Sequence, residues 1–462
     1  MTREEPGADG SPWDPVVSRI LARTSHPADV RHMTERWLTL RLANSQIYQP
    51  IHEVKEYVSF RVIVPGNLMG LATTTDLSEG GIKTLVDSAE AMARSSQEPV
   101  ALTAFPGPGH EEVHETGLAA VDLGQIAESA ARSAAEALGT VAREFPTSRV
   151  AGVYNAGQVT LSVGNSSGRH RAVTRNIYQG SLLVEDLSVD PPVSGWAEGA
   201  SSDPHGVSLP EIAHRALERI PRRKVSPLPP GSYDVVFGAP AIAELMNMLS
   251  MGGLGAFSVE EGSSFLSEWR DRETIAPHLT LWEDPQDARG LPEPMDYDGL
   301  PTLRRKLFDH GVARGPAHDL LTAARAGVPS TGNALPPEAP YGQLGPVPRH
   351  VTFEPGTASH EELLTRLGRG ILVTRLHYVR FVHRQRTIVT GMTRDGTYWV
   401  ENGKVHHPVA NLRMTESILG ILRRTESTGR DLLCCADERG VFAPVVPEIL
   451  TRGVAFSSAT SF

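Results

Sequence analysis

The chain has 462 residues, 40% apolar, 21% charged and 6% aromatic, which fits two or three folded domains and excludes wholesale disorder. A net charge of −10 argues against a dedicated nucleic-acid binder, because phosphate contacts need clustered Lys and Arg. The acidic opening MTREEPGADGSPW is not a secretory signal, no apolar run approaches the roughly 18 residues of a membrane span, and the two cysteines, Cys434 and Cys435, are adjacent and poorly placed to bridge each other. The expectation is a reduced, cytoplasmic protein that contacts no membrane and buries both thiols.

Residues 1–12 are expected to form a disordered tail ahead of an N-terminal α/β domain over 13–104. A short helix follows Pro15, carrying Val16, Ile20 and Leu21. Residues 36–75 predict successive strands, with turn signals at Ala43-Asn44-Ser45 and Pro65-Gly66-Asn67. Asp76 or Ser78 can cap the next helix, whose Ile82, Leu85, Val86, Ala89 and Met92 keep helical spacing.

The Pro- and Gly-rich stretch 105–122 reads as a linker. It contains HEEVH, in which His110, Glu111 and His114 match a zinc-peptidase pattern, with Glu128 or Glu136 available as a further ligand. The match follows Pro-Gly-Pro-Gly and lacks the apolar periodicity that would hold both histidines on one helical face, so a solvated loop is the preferred reading.

A central α+β domain is expected over 123–224. It begins with the alanine-rich helix LGQIAESAARSAAEAL and continues into strands that turn at Asn165-Ser166-Ser167-Gly168. A helix over 209–220 precedes the interdomain linker PRRKVSPLPPG, whose prolines stiffen it. The C-terminal domain, 231–462, opens with alternating Tyr233, Val235 and Phe237, a strand that Gly238 and Pro240 convert into a helix. Ile242, Leu245, Met248 and Leu249 form that helix's apolar stripe, and Gly252, Gly253 and Gly255 end it.

This strand–helix unit and the SSFL segment after it resemble the C-terminal domain of the TldD/PmbA (TldD/TldE) metallopeptidase family. LTLWEDP, MDYDGLPT, the PSTGNA segment and TGMTRDGTYWVENGKVHHPVANLR follow the family's order over the next residues, and Gly70 to Thr74 resemble the end of its N-terminal strand. TldD-type members carry an HExxxH zinc motif on this helix; here it reads AELMNMLSMGG, with Glu244 and no histidine. The resemblance therefore implies a TldE/PmbA-like subunit with no catalytic residue and no metal of its own. It would pair with a zinc-bearing, HExxxH-containing TldD-type chain as a heterodimer acting on small or unfolded peptides. It also implies two alternatives, a protein dedicated to maturing peptide natural products and a protein-binding regulator.

Asp395-Gly396 and Asn402-Gly403 both signal hairpin turns, so the C-terminal half is expected to end in an antiparallel meander, making the chain α+β. On the preceding strand His377, Val379, Phe381 and His383 share one face and Tyr378, Arg380 and Val382 the other. His377, Arg380 and His383 are candidates for lining a peptide groove; the histidines, about 20 Å apart, cannot share a metal. The bland readings are turn and cap roles for Ser263-Ser264, Glu283-Asp284 and Asp296/Asp298, loop or helix-start positions without paired ligand spacing for His278, His310 and His318, and surface positions for His406 and His407. The Gly252–Gly255 run lacks the Lys-Ser/Thr of a phosphate loop.

Overall fold

A computed structural model describes residues 14–109, 122–190, 192–337 and 343–459. The HEEVH stretch with His110, Glu111 and His114 lies outside the described residues, as does the tail over 1–12.

The N-terminal half is one antiparallel sheet of β1 (Ala28–Ala43), β2 (Gln46–Val64), β3 (Leu68–Thr74), β4 (Ser148–Asn165), β5 (His170–Asp186) and β6 (Val193–Ser201), in the order β3-β2-β1-β4-β5-β6. The expected division at 105–122 does not split this sheet, because β1 pairs with β4 from Asp29↔Asn165 to Leu42↔Gly152. Helices α1 (Pro15–Leu21), α2 (Glu79–Ser95), α3 (Leu123–Glu144) and α4 (Leu209–Glu218) belong to this half. Ser78 caps α2 by accepting from Gly81 N. Met92 keeps helical spacing but is 53% exposed, off the stripe that Ile82, Leu85, Val86, Ala89 and Ala93 bury. On α3, Ala130, Ala134, Ala137 and Val141 form a buried stripe of small side chains that lets α4 approach closely.

Side chains of β1 alternate between two environments. Val30, Leu38, Leu40 and Leu42 point toward the helices. Asp29, Arg31, Met33 and Trp37 point the other way and are equally buried. Trp37 lies flat over Gly157, where a Cβ would come within 2.3 Å of the ring.

The second half begins with β7 (Gly231–Phe237), α5 (Ala239–Gly253), α6 (Ala256–Glu260), α7 (Leu266–Trp269), β8 (Leu281–Glu283), β9 (Arg305–Asp309), β10 (Val312–Ala313) and α8 (Leu320–Ala326). It continues with β11 (Val351–Phe353), α9 (His360–Leu367), β12 (Gly370–His383), β13 (Ile388–Glu401), β14 (Lys404–Pro408), β15 (Leu412–Ser417), α10 (Ile418–Arg423), β16 (Thr425–Cys434) and β17 (Val445–Ala459). Strands β7, β12, β13, β15 and β17 pair in a ring, because β17 bonds both β15 and β7. The expected meander is present over β12, β13 and β14.

Asn402-Gly403 turns between β13 and β14 as expected, but Asp395-Gly396 does not turn a hairpin. Both residues take positive φ inside continuous β13 and form an irregularity opposite 373–375. The same conformational permissiveness that makes Asp-Gly a good turn also suits a bulge.

Candidate functional site

Helix α5 is apolar nearly all round and sits in the main core of the second half. Its residues that are not fully buried are Glu244, Asn247 and Met251, spaced three and four apart on one stripe. Gly252 lets the Phe381 ring lie on the helix end, since a Cβ there would meet the ring at 2.2 Å. The glycine run is thus a packing device.

Glu244 and Asn247 border a cavity of about 240 Å³ at the junction of the two halves. Trp196 and Glu198 enter it from β6, Arg375, His377 and Tyr378 from β12, and Cys435 to Asp437 from the segment after β16. The Arg375 guanidinium lies 4.2 Å from the Trp196 ring centroid, and its Nε is 3.3 Å from Asp395 Oδ2. Burial, reinforced by the charge of nearby Glu244, pushes Glu198 up to about 7 despite a hydrogen bond with Cys435 and the pull of Arg375 and Arg219. Burial raises Glu244 as well, against the weaker attraction of Arg380 and Arg375. His377 is held toward its neutral form by burial and by Arg394 and Arg375.

Of the three groove candidates, His377 borders this cavity; Arg380 and His383 do not. Arg380 is exposed and donates to Val379 O at 2.9 Å. His383 is exposed at the end of β12, where its Nδ1 accepts from Arg386 N.

Helix α5 itself offers one carboxyl, one amide and one hydroxyl among apolar side chains; Glu198, His377 and Asp437 border the same cavity, and the nearby Cys435 thiol is held protonated by burial and by Glu198. Zinc needs about three nitrogen, sulfur or carboxylate ligands in deprotonated form. The residues of α5 alone do not supply that set. Among the described residues no group of three or more His, Cys, Asp and Glu is arranged to hold a metal ion. Glu128 and Glu136, on α3, are exposed. The cysteines are free and buried.

Two further charged clusters lie in the seam between the halves. Asp298 Oδ1 accepts from Arg31 Nη2 at 2.7 Å and Arg61 Nη2 at 2.9 Å, while Arg61 also grips Asp29 at 2.6 Å. Glu293 pairs with Arg175 at 2.9 Å and also with Arg349, and His350 approaches it at 3.2 Å. Burial would raise Glu293, but Arg175 and Arg349 overcome it and hold the carboxyl well below its ordinary range. Asp296 keeps the turn role expected of it, accepting from the backbone N of Asp298, Leu300 and Ala334. Ser264 is likewise a turn residue, bonded to Gly253 O and Leu266 N. Sequence spacing carries no signal for either cluster, because each joins residues more than 110 positions apart.

Residues 230–458 match the model of the PmbA/TldA metallopeptidase C-terminal domain, and residues 28–93 that of PmbA/TldA metallopeptidase domain 1. The chain is 26% identical over 385 residues to a metalloprotease PmbA of Escherichia coli O157:H7, covering 79% of each. It is 23% identical over 382 residues to a Haemophilus influenzae PmbA homologue, again covering 79% of each. Its fold is similar to that of TldE from Thermococcus kodakarensis, with a TM-score of 0.84 at 16% identity over 96% of this chain and 99% of that one. A Thermotoga maritima chain, described in connection with DNA gyrase modulation, aligns over the same shares with a TM-score of 0.81 at 21% identity. The chain belongs to the PmbA/TldD metallopeptidase family.

Proposed function

We propose that this chain is a TldE/PmbA-like subunit that binds no metal itself and pairs with a zinc-bearing TldD-type chain to form a cytoplasmic metallopeptidase acting on small or unfolded peptides. The observation that carries the reading is the composition of α5. Where TldD-type members have HExxxH, this helix offers Glu244 with Leu, Met and Asn, a set that cannot complete a zinc shell. The E. coli and H. influenzae relatives, both named as PmbA-type metalloproteases, and the likeness to an archaeal TldE support it. On this reading the subunit completes the chamber, stabilises its partner, and presents the α5 pocket and neighbouring strands to extended peptide.

The test is zinc content, particle size and peptidase activity of the purified chain, alone and co-expressed with an HExxxH-containing homologue. The expected result is a zinc-free chain without peptidase activity that forms a one-to-one, zinc-containing, active complex with that partner. Stoichiometric zinc, or metal-dependent peptide hydrolysis by the isolated chain, would overturn the reading.

A further inference from the structure

Glu244 is the one charged residue of a helix otherwise immersed in the core, and it faces the cavity shared with Glu198. Among the described residues its carboxyl has no hydrogen-bond donor; its only attractions are the longer-range fields of Arg380 and Arg375. Both guanidiniums have other engagements. Arg375 is stacked on Trp196 and paired with Asp395, and Arg380 is bonded to Val379 O with its guanidinium 5.8 Å from the Tyr378 ring centroid. Ionised, the cavity's carboxyls would outnumber its free cations.

The aromatic residues point to the same kind of ligand. Tyr378 stands at the cavity with φ of 53° and is 62% exposed, an unusual conformation for an aromatic residue. It is extruded by a bulge in which β12 advances from His377↔Met392 to Arg380↔Thr390. Aromatic faces and carboxylates both attract cations. The planar slot on Trp196 is already filled by a guanidinium, so the chemistry left open is that of a compact ammonium group.

We infer that the pocket between α5, β6 and β12 binds a primary ammonium group of a peptide, with Glu244 and Glu198 as counter-charges and Tyr378 as its outer wall. This rests on the reading of the chain as a peptide-handling subunit. The ammonium could be a lysine side chain or a free amino terminus. Its arrival favours the ionised form of carboxyls whose pKa burial raises, so binding releases protons and tightens as pH rises toward neutrality. The other groups facing these carboxyls are Arg375 and Arg380 from β12, Arg219 at the end of α4 and the Cys435 thiol; His377 and Asp437 border the same cavity.

Calorimetric titration tests this on the full chain and on the co-purified pair, with three peptides. Acetyl-Ala-Lys-Ala-amide carries only a side-chain ammonium, Ala-norleucine-Ala-amide only a terminal one, and acetyl-Ala-norleucine-Ala-amide neither. One of the first two should bind at least about tenfold more tightly than the third at pH 7.5, and which one does so identifies the source. That advantage should grow between about pH 5.5 and 7, below the pKa of about 8 of a free amino terminus, with protons released to buffer, and fall about tenfold in Glu244→Gln and further in Glu198→Gln/Glu244→Gln. Equal affinity for all three peptides, or no binding in either preparation, would overturn the inference even if the double variant fails to fold. Because pairing and zinc content are measured separately, that failure would leave the subunit reading standing.

Discussion

The seam between the two halves and the α5 pocket both take carboxyl groups out of water, but they compensate the charge differently. In the seam, Glu293 and Asp298 each meet arginines from the opposite half at hydrogen-bonding distance, and burial is outweighed. In the pocket, Glu198 and Glu244 lie near one shared guanidinium that is committed to Asp395, and burial prevails. A paired buried charge fixes how two surfaces meet. An uncompensated one keeps a free energy that a ligand can release.

The largest effect should come from unbalancing the seam. Glu293→Gln leaves Arg175 and Arg349 buried without their counter-charge and should lower stability by about 3–5 kcal/mol, read from the midpoint of urea unfolding. A loss below about 1 kcal/mol would mean that the apolar seam around Tyr297, Val163 and Val445 holds the halves together unaided.

The pocket should respond in the opposite direction. Glu244→Leu replaces an unsatisfied carboxyl on an apolar helix and should raise stability by about 1–2 kcal/mol by thermal melting, while weakening ammonium binding. A destabilised variant would show that Glu244 has a structural partner after all.

A smaller effect concerns pH. Glu198 titrates near 4.5 in the unfolded chain and about 7 in the folded one, so between those values the native state holds the extra proton. Its contribution to stability therefore declines as pH rises from about 4.5 to about 7 and is level above that. Glu198→Gln should flatten this slope; an unchanged profile would remove Glu198 from the comparison. His32, bonded to Asp14 and Glu56, has the reverse partner chemistry. Although burial opposes it, both carboxylates raise its pKa, so its contribution is complete below about 6.5 and disappears as pH climbs through the folded value.

Much of the second half was legible in the sequence, because its signals are local. Gly238 and Pro240 start α5, and the apolar run through Leu249 buries it. The lack of histidine on that helix is visible at once. The cavity was not legible, because Glu198 reaches it from a strand of the other half, some forty-six positions before Glu244, through packing that no periodicity reports. The seam was obscured for a similar reason: Asp29 and Arg31 look like the solvent face of an amphipathic strand until a second domain covers them. Asp395-Gly396 misled because bulge and turn ask the same backbone freedom of a residue pair. His377, Arg380 and His383 share one strand, but its irregular pairing and its length carry only the first to the cavity.

The strand ring has a consequence for synthesis. Its first member, β7, hydrogen-bonds β17 across more than two hundred intervening residues, from Ile449↔Phe237 to Phe456↔Gly231. During translation β7 and α5 leave the ribosome long before the strand that completes them, and α5 offers water an almost wholly apolar surface in the interval. Helix α5 is thus exposed to misassembly until β17 arrives.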